Sequence, residues 1–272
     1  MDREPPAPTV SVLMPVRDGE AYLGEALDSV FSQTFGDFEL VVVDDGSRDR
    51  TPALLAACRD PRLVVITHDH SQGVARALNR GLDRCRGRYV ARMDADDVTL
   101  PERLARQVAW LEAHPECGVV ASLVERIDAD GRPLTPWVDD RAALTRAEIR
   151  RFMPAASCIA HASVMVRREV FERHRYRPAT PRAQDWELWL RLLAHGVVID
   201  KLPEVLLRLR VHGGNTGRQI GRLERLVSKN AHTRVVYLGE ALAQKRFGPI
   251  EWEVLWRLGL DLARALGALH RR

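Results

Sequence analysis

Phe38-Glu39-Leu40-Val41-Val42-Val43-Asp44-Asp45-Gly46-Ser47 is the stretch on which the fold turns. A strand wet on one face alternates apolar and polar residues. This one runs nearly unbroken from Phe38 to Val43, the pattern of a parallel strand buried on both faces. Similar runs stand at Val10 to Met14, ending at Pro15, at Leu63 to Ile66 and at Tyr89 to Met93. Between them lie helical patterns. Glu20 to Gln33 carries Leu23, Ala26, Leu27, Val30 and Phe31 at helical spacing, Asp49 to Cys58 tolerates Pro52 in its first turn, and Val74 to Arg84 is the third. Strand and helix alternating over short connections predict a doubly wound α/β domain, whose ligands gather at the carboxyl ends of the strands.

Beyond Asp97 the pattern loosens. Thr99-Leu100-Pro101-Glu102 opens a helix running to about His114. Val119 to Ile127 alternates less cleanly, Asp128-Ala129-Asp130-Gly131 reads as a hairpin turn, Ser157 to Val166 as a strand and Trp186 to Leu193 as a short helix. From Gly217 onward the signals are helical, ending in Glu251 to Leu269. The expected architecture is a mixed α/β domain with a C-terminal helical appendage.

Composition narrows the class. The 272 residues are 46% apolar and 29% charged, which excludes wholesale disorder, collagen and coiled coil. A net charge of +4 is too small to argue for nucleic acid, so no nucleic-acid partner is expected. No apolar run approaches the roughly 18 residues that span a bilayer, and the first residues lack the apolar stretch of a secretory signal. Cys58, Cys85, Cys117 and Cys158 lie far apart, as reduced, buried thiols do. A cytoplasmic location is expected.

Two acidic clusters follow apolar strands directly: Asp44-Asp45, and Asp94-Ala95-Asp96-Asp97 after Met93. Charges are costly to bury unless paired or metal-bound. Alternate carboxylates of an extended Asp-x-Asp segment can converge on a hard divalent cation, which in turn can bridge a diphosphate. The plain reading is that these acids cap helices or make turns. Two clusters at strand ends of one sheet favour a shared site. There is no GxGxxG after the first strand and no GxxxxGK[ST] anywhere, so phosphate would be held with metal assistance rather than cradled by glycines.

The residues resemble family 2 glycosyltransferases, which have the nucleotide-sugar-binding GT-A fold. Val10-Ser11-Val12-Leu13-Met14-Pro15-Val16-Arg17-Asp18-Gly19 is similar to the family's opening strand and loop, and Ser32 to Phe35 with Phe38 to Ser47 to its second block. Asp94-Ala95-Asp96-Asp97 with Pro101-Glu102-Arg103-Leu104 resembles the metal-binding block, and Gln184-Asp185-Trp186-Glu187-Leu188-Trp189-Leu190-Arg191 the block of the catalytic base. Arg210-Val211-His212 resembles the segment that closes the catalytic domain.

The resemblance implies a GT-A catalytic domain over 9–216, with a nucleotide-sugar half over 9–110 and an acceptor half over 111–216. A disordered segment over 1–8 would precede it and a helical region over 217–272 would follow. Pro15 and Asp45 would lie against the nucleotide base, and Asp94 would face the ribose or the metal shell. Asp96 would ligate Mg²⁺ or Mn²⁺, His212 would meet the metal or diphosphate, and Asp185 would be the general base. Gln184 stands where Glu usually precedes the base. Leu78 replaces a frequent Arg, which leaves Arg76 as the candidate cation for the diphosphate.

The implied reaction is inverting transfer from a nucleotide-diphosphate sugar, a UDP-sugar, to a saccharide or lipid-linked saccharide. A sugar hydroxyl is a poor nucleophile near neutral pH, so a positioned carboxylate must take its proton. A sugar nucleotidyltransferase would need a Gly- and Arg-rich loop after the first strand, which Val16 to Glu20 does not supply. A catalytically silent scaffold subunit is opposed by the intact Asp45, Asp94, Asp96 and Asp185.

Weaker signals have plainer readings. Asp128-Ala129-Asp130 reads as a turn, and His68 and His70 flanking Asp69 as a solvated loop. His161 reads as a hydrogen-bonded core histidine, with acceptor contact the alternative, and Trp186 and Trp189 could offer a sugar-stacking face, though at helical spacing one of them reads as core. His212 precedes Gly213-Gly214-Asn215, a mobile loop by composition. Between Arg208 and Arg246, nine basic residues face two acidic ones, a local net charge of +7. The last helix places Glu253, Arg257, Asp261 and Arg264 on one polar stripe. Val254, Leu255, Trp256, Leu258, Leu260, Leu262, Leu266 and Leu269 fill the rest. So wide an apolar face has to be covered by the protein's own helices, a dimer partner or a membrane surface at the inner face.

Overall fold

β1 (Val10–Val16) and β2 (Phe38–Asp44) are buried along their whole length, and alternate side chains serve opposite faces of the sheet. Leu13, Val41 and Val43 join one apolar cluster with Leu78 and Leu82, while Val12, Met14, Leu40 and Val42 join another with Leu23 and Leu27. The unbroken apolar runs are thus two half-strands' worth of core, one under each helical layer. The computed structural model describes residues 6–178, 183–213, 222–245 and 247–269, with the side chains of 222–230, 250 and 264–269 left aside.

In chain order the elements begin with β1, α1 (Leu23–Phe31), β2, α2 (Thr51–Ala57), β3 (Leu63–Thr67), α3 (Val74–Leu82) and β4 (Tyr89–Arg92). The middle comprises β5 (Val98–Thr99), α4 (Arg103–Ala113), β6 (Cys117–Ile127), α5 (Val138–Arg141), α6 (Arg146–Phe152), β7 (Met165–Arg167) and α7 (Arg168–Arg173). Then come α8 (Gln184–Ala194), β8 (Val198–Arg210), α9 (Arg222–Ala243) and α10 (Pro249–Leu269). The strands form one eight-stranded sheet in the order β3-β2-β1-β4-β7-β6-β8-β5. β1 to β4 pair in parallel, whereas β7 is antiparallel to both β4 and β6. β6 and β8 run parallel, and β5 closes the edge antiparallel to β8.

The long strand expected over Ser157 to Val166 is instead a loop, a 3₁₀ turn at His161–Ser163 and the three-residue β7. The cause is local. Ser163 donates both its N–H and its hydroxyl to Ala160 O, at 3.0 and 2.9 Å, and such bonds compete with a ladder. The Asp128 turn is as expected: its Oδ1 accepts from Asp130 N and Arg132 N, and Gly131 takes φ +83°.

α9 packs on both α8 and α10. Residues 1–5 of the proposed disordered lead-in, Gly214 and Asn215 of the His212 loop, and the side chains of Arg264, Leu266 and Leu269 lie outside the described residues.

Candidate active site

A cleft of about 950 Å³ opens at the carboxyl ends of β1, β2 and β4. Its walls include Pro15, Arg17 and Tyr22 after β1, Asp45 after β2, Ser71 and Gly73 before α3, Asp94 and Asp96 after β4, and His212 after β8. Five of the sequence-selected residues therefore meet in one place: Pro15, Asp45, Asp94, Asp96 and His212.

The turn after β2 divides its two acids. Asp44 accepts from Ser47 N at 2.9 Å, which makes it the turn-former. Gly46 takes φ +72°, and a Cβ there would stand 2.7 Å from the backbone of His70, so the turn packs directly on the loop after β3. Asp45 grips that loop through four bonds. Its Oδ1 accepts from His68 Nδ1 and Gln72 N, both at 2.8 Å, and its Oδ2 from Ser71 Oγ at 2.7 Å and Gly73 N at 2.9 Å. Burial acts to raise the Asp45 carboxyl, but these hydrogen bonds outweigh it and hold it below the ordinary carboxylate value. His68 is consequently buried rather than solvated, while Asp69 and His70 are exposed.

The second acidic cluster is more tightly packed. Asp94, Asp96 and Asp97 each offer a carboxylate oxygen, and these atoms lie within 4.8 Å of one another. Arg92, itself buried, forks onto both oxygens of Asp94. His212 Nε2 lies 2.9 Å from Asp96 Oδ2, and Asp97 Oδ1 accepts from Arg210 N at 2.8 Å. Burial, then the charge of Asp94, raises the Asp96 carboxyl, with His212 opposing. Burial and the charges of Asp94 and Asp96 push Asp97 well above its usual value. Asp97 Oδ2 is buried with no hydrogen-bond partner among the described residues. Like charges crowded to the point of resisting ionisation, with an unanswered buried oxygen, are what a divalent cation relieves. A set of carboxylates with one imidazole fits a hard or borderline ion such as Mg²⁺ or Mn²⁺.

Arg210 ties this loop to the rest of the cleft. Its Nε donates to Asp96 O at 2.8 Å, its Nη2 reaches Glu25 at 2.5 Å, and its guanidinium lies 4.7 Å from the Tyr22 ring centroid. Tyr22 in turn packs 4.9 Å from the His212 ring.

The family-model match to "Glycosyl transferase family 2" spans residues 11–175, the segment that builds this cleft apart from His212. The chain belongs to glycosyl transferase family 2. A family relative, the amylovoran biosynthesis glycosyltransferase AmsE of Erwinia amylovora, is 30% identical over 207 residues, covering 73% of this chain and 74% of AmsE. Among solved structures, S. aureus TarS 1-349 in complex with UDP-GlcNAc matches with a TM-score of 0.74 at 20% identity, over 95% of this chain and 73% of that one. The mannosyltransferase PcManGT from Pyrobaculum calidifontis, in complex with GDP-Man and Mn²⁺, matches with a TM-score of 0.65 at 22% identity, over 97% and 76%. At those identities the likeness establishes the shared GT-A fold.

Two sequence-selected residues are not among those lining the cleft. Arg76 is exposed on α3, where Gly73, Val74 and Ala77 face the cleft, and its guanidinium donates to Gln72 O at 3.3 Å. Asp185 is half-buried in the first turn of α8. Burial pushes the Tyr176 phenol up, and the charges of Asp185 and Asp94 add to that rise while Arg92 opposes it. Tyr176 Oη is 2.8 Å from His161 Nε2, and both Asn79 amide atoms clamp the Tyr176 backbone. His161 is therefore a core histidine, pushed well below its usual value by burial and then by Arg92. Trp186 donates to Met153 O at 2.8 Å, and Trp189 is fully buried, which makes both of them core.

Sequence reading passed over Arg92, Arg17 and Tyr22 as site residues and took His68 for part of a solvated loop. Only Arg92 left a signal: a charge inside Tyr89-Val90-Ala91-Arg92-Met93, an otherwise apolar strand.

Proposed function

We propose that this glycosyltransferase is an inverting, metal-dependent enzyme that moves a sugar from a UDP-sugar to the hydroxyl of a saccharide or lipid-linked saccharide in surface polysaccharide or glycolipid synthesis. The observation that carries the reading is the Asp94, Asp96 and Asp97 cluster, of which Asp94 and Asp96 line, with His212, the same cleft as Pro15 and Asp45. Residues 9–110 would hold the donor and 111–216 the acceptor, with 217–272 as a separate helical region. The nucleotide sugars held by the fold neighbours TarS and PcManGT, the latter with Mn²⁺, and the part of AmsE in amylovoran biosynthesis support the same reading.

Placement in the cleft supports several of these roles. Pro15 and the Asp45 loop form the wall for the base, with Asp45 holding Ser71 and the Gln72 and Gly73 amides in position. Asp96 and His212, with Asp94 beside them, would hold Mg²⁺ or Mn²⁺, which when bound stabilises negative charge on the departing diphosphate. Arg92 fixes the direction of the Asp94 carboxylate. Arg17 is a further cation on the cleft wall, better placed than Arg76 to meet phosphate. Asp185 lies outside the cleft lining, and on the family resemblance alone it would be the base that takes the proton of the acceptor hydroxyl as it attacks.

Isothermal titration of the purified chain with UDP, with and without Mn²⁺ and with GDP and dTDP as controls, tests the donor site. Metal-dependent UDP binding that Asp96→Ala abolishes is the expected outcome. No nucleotide binding under any metal overturns the reading.

A further inference from the structure

Among the described side chains of the two C-terminal helices, Arg234, Glu251 and Asp261 are buried charges. Arg234 is buried against Asp261 and also donates to Pro154 O and Ala155 O. Tyr237 Oη donates to the buried Glu251 at 2.6 Å, and Arg257 forks onto Glu253. Glu240 is taken by Arg177, on the loop before α8. The outer face is the reverse. Trp252, Leu255, Trp256, Leu260 and Leu262 of α10 are 38% to 69% exposed, and none of the exposed positions of α10 from Trp252 to Ala263 is charged. On α9, Val235 and Leu242 are 54% and 60% exposed, and the exposed positions from His232 to Ala243 carry no acid, lysine or arginine. An ordinary surface helix shows the opposite arrangement, so this broad apolar face is built to be covered.

We infer that the outer face of α9 and α10 docks on an anionic lipid bilayer, lying in its interface rather than crossing it. Among the described residues no helix is long and apolar enough to cross a membrane. The face carries two tryptophans and, at the connection, Phe247, which meets the Trp252 ring edge-on at 5.0 Å. Aromatic rings with an apolar body and a polar edge suit the headgroup boundary. Charge decides between lipid and a second copy of the chain. Lys245 stands exposed beside Phe247, and all four described acids of the pair, Glu240, Glu251, Glu253 and Asp261, are already engaged. Among the described residues of this helical pair a second copy would bring no unengaged acid to meet Lys245, whereas an anionic headgroup would supply the charge. α9 also packs along α8, whose first turn holds Asp185, so docking would keep that side of the domain near the bilayer.

The face is separate from the cleft, so lipid partition and UDP binding report on different surfaces. The test is co-sedimentation of the full chain with vesicles of phosphatidylcholine alone and of phosphatidylcholine mixed with phosphatidylglycerol, at low and high salt. Partition onto the anionic vesicles, weakened by salt, is expected. Trp252→Glu/Trp256→Glu should lower it by about tenfold or more, as removal of an interfacial aromatic anchor does. Trp252→Ser/Trp256→Ser serves as a milder pair should the first fail to fold, and retained UDP binding confirms that each variant is intact. No partition by the wild type overturns the inference, and so does equal partition by a folded variant. A wild-type dimer that the variant turns into monomer, with no lipid binding by either, assigns the face to a second copy and overturns it as well.

Discussion

The cleft and the C-terminal helical pair treat charge in opposite ways. At the cleft, Asp94, Asp96 and Asp97 crowd together, and although Arg92 pairs with Asp94 and His212 with Asp96, Asp96 and Asp97 are still raised by burial and by their neighbouring acids. In the helical pair, Arg234 meets Asp261 and Glu251 meets Tyr237 out of water, and the apolar surface is left outside. Unbalanced buried charge stores a debt in stability that only a bound ion of the other sign can lift. Balanced buried charge holds two helices together and leaves nothing for a ligand. The difference teaches where to look for chemistry and where to look for attachment.

The sharpest way to break this contrast is Asp185→Asn. Loss of the base should cut turnover by about 10²- to 10⁴-fold while UDP affinity stays near wild type. Near-wild-type turnover in a coupled assay of UDP release would remove Asp185 from the mechanism.

Next in size is a pair of stability measurements by urea unfolding without metal. Arg234→Met leaves Asp261 buried and unpaired and should cost about 3–5 kcal/mol with UDP binding unchanged. Asp96→Asn, by contrast, should unfold no more easily than wild type, because it relieves the repulsion from Asp94, yet it should lose metal-dependent UDP binding. Equal destabilisation by both variants would erase the distinction between the two regions.

The smallest effect is in pH dependence, and the two regions have opposite signs. Burial raises the Glu251 carboxyl, but the Tyr237 hydroxyl and Gly248 N–H outweigh it, so the folded value lies below the ordinary one. Its stabilisation is present above the ordinary carboxylate value and is lost as pH falls through the lowered one. Asp96 is raised in the folded state, so what it contributes is complete below the ordinary value and is lost as pH rises through the raised one. Glu251→Gln should therefore flatten the acid limb of unfolding free energy against pH, and Asp96→Asn the rise-side loss. A Glu251→Gln curve parallel to wild type would show that the Tyr237 contact adds no pH-linked stability.

The parallel half was legible because its signals are local. An unbroken apolar run such as Phe38 to Val43 requires cover on both faces, and an acid directly after it stands at a strand end. The second half was less so. β5 is two residues long, β7 is three, and β8 is a 13-residue strand whose pairing with β6 slips at several points, so no simple period marks them. Asp45 was readable as a site residue, but not its grip on His68, because residues 23 positions apart meet only once β2 and β3 are paired. Arg76 was chosen for its place in the chain, yet helix phase turns Val74 and Ala77, not Arg76, toward the cleft.

By itself the amino-acid order determined the α/β class, the acids at the ends of β2 and β4, and the family, since each depends on neighbours within a few residues. Tertiary structure alone decided that Arg210 would brace Asp96 and Asp97 from 114 and 113 residues away. It alone decided, too, that Arg234, Glu251 and Asp261 of α9 and α10 would be buried. The polar stripe of Glu253, Arg257 and Asp261 is visible in the sequence, but which side of a helix is the inside depends on where its partner lies. For α10 that partner is α9, and Arg234 and Tyr237 draw the acids inward and leave Trp252 and Trp256 facing out.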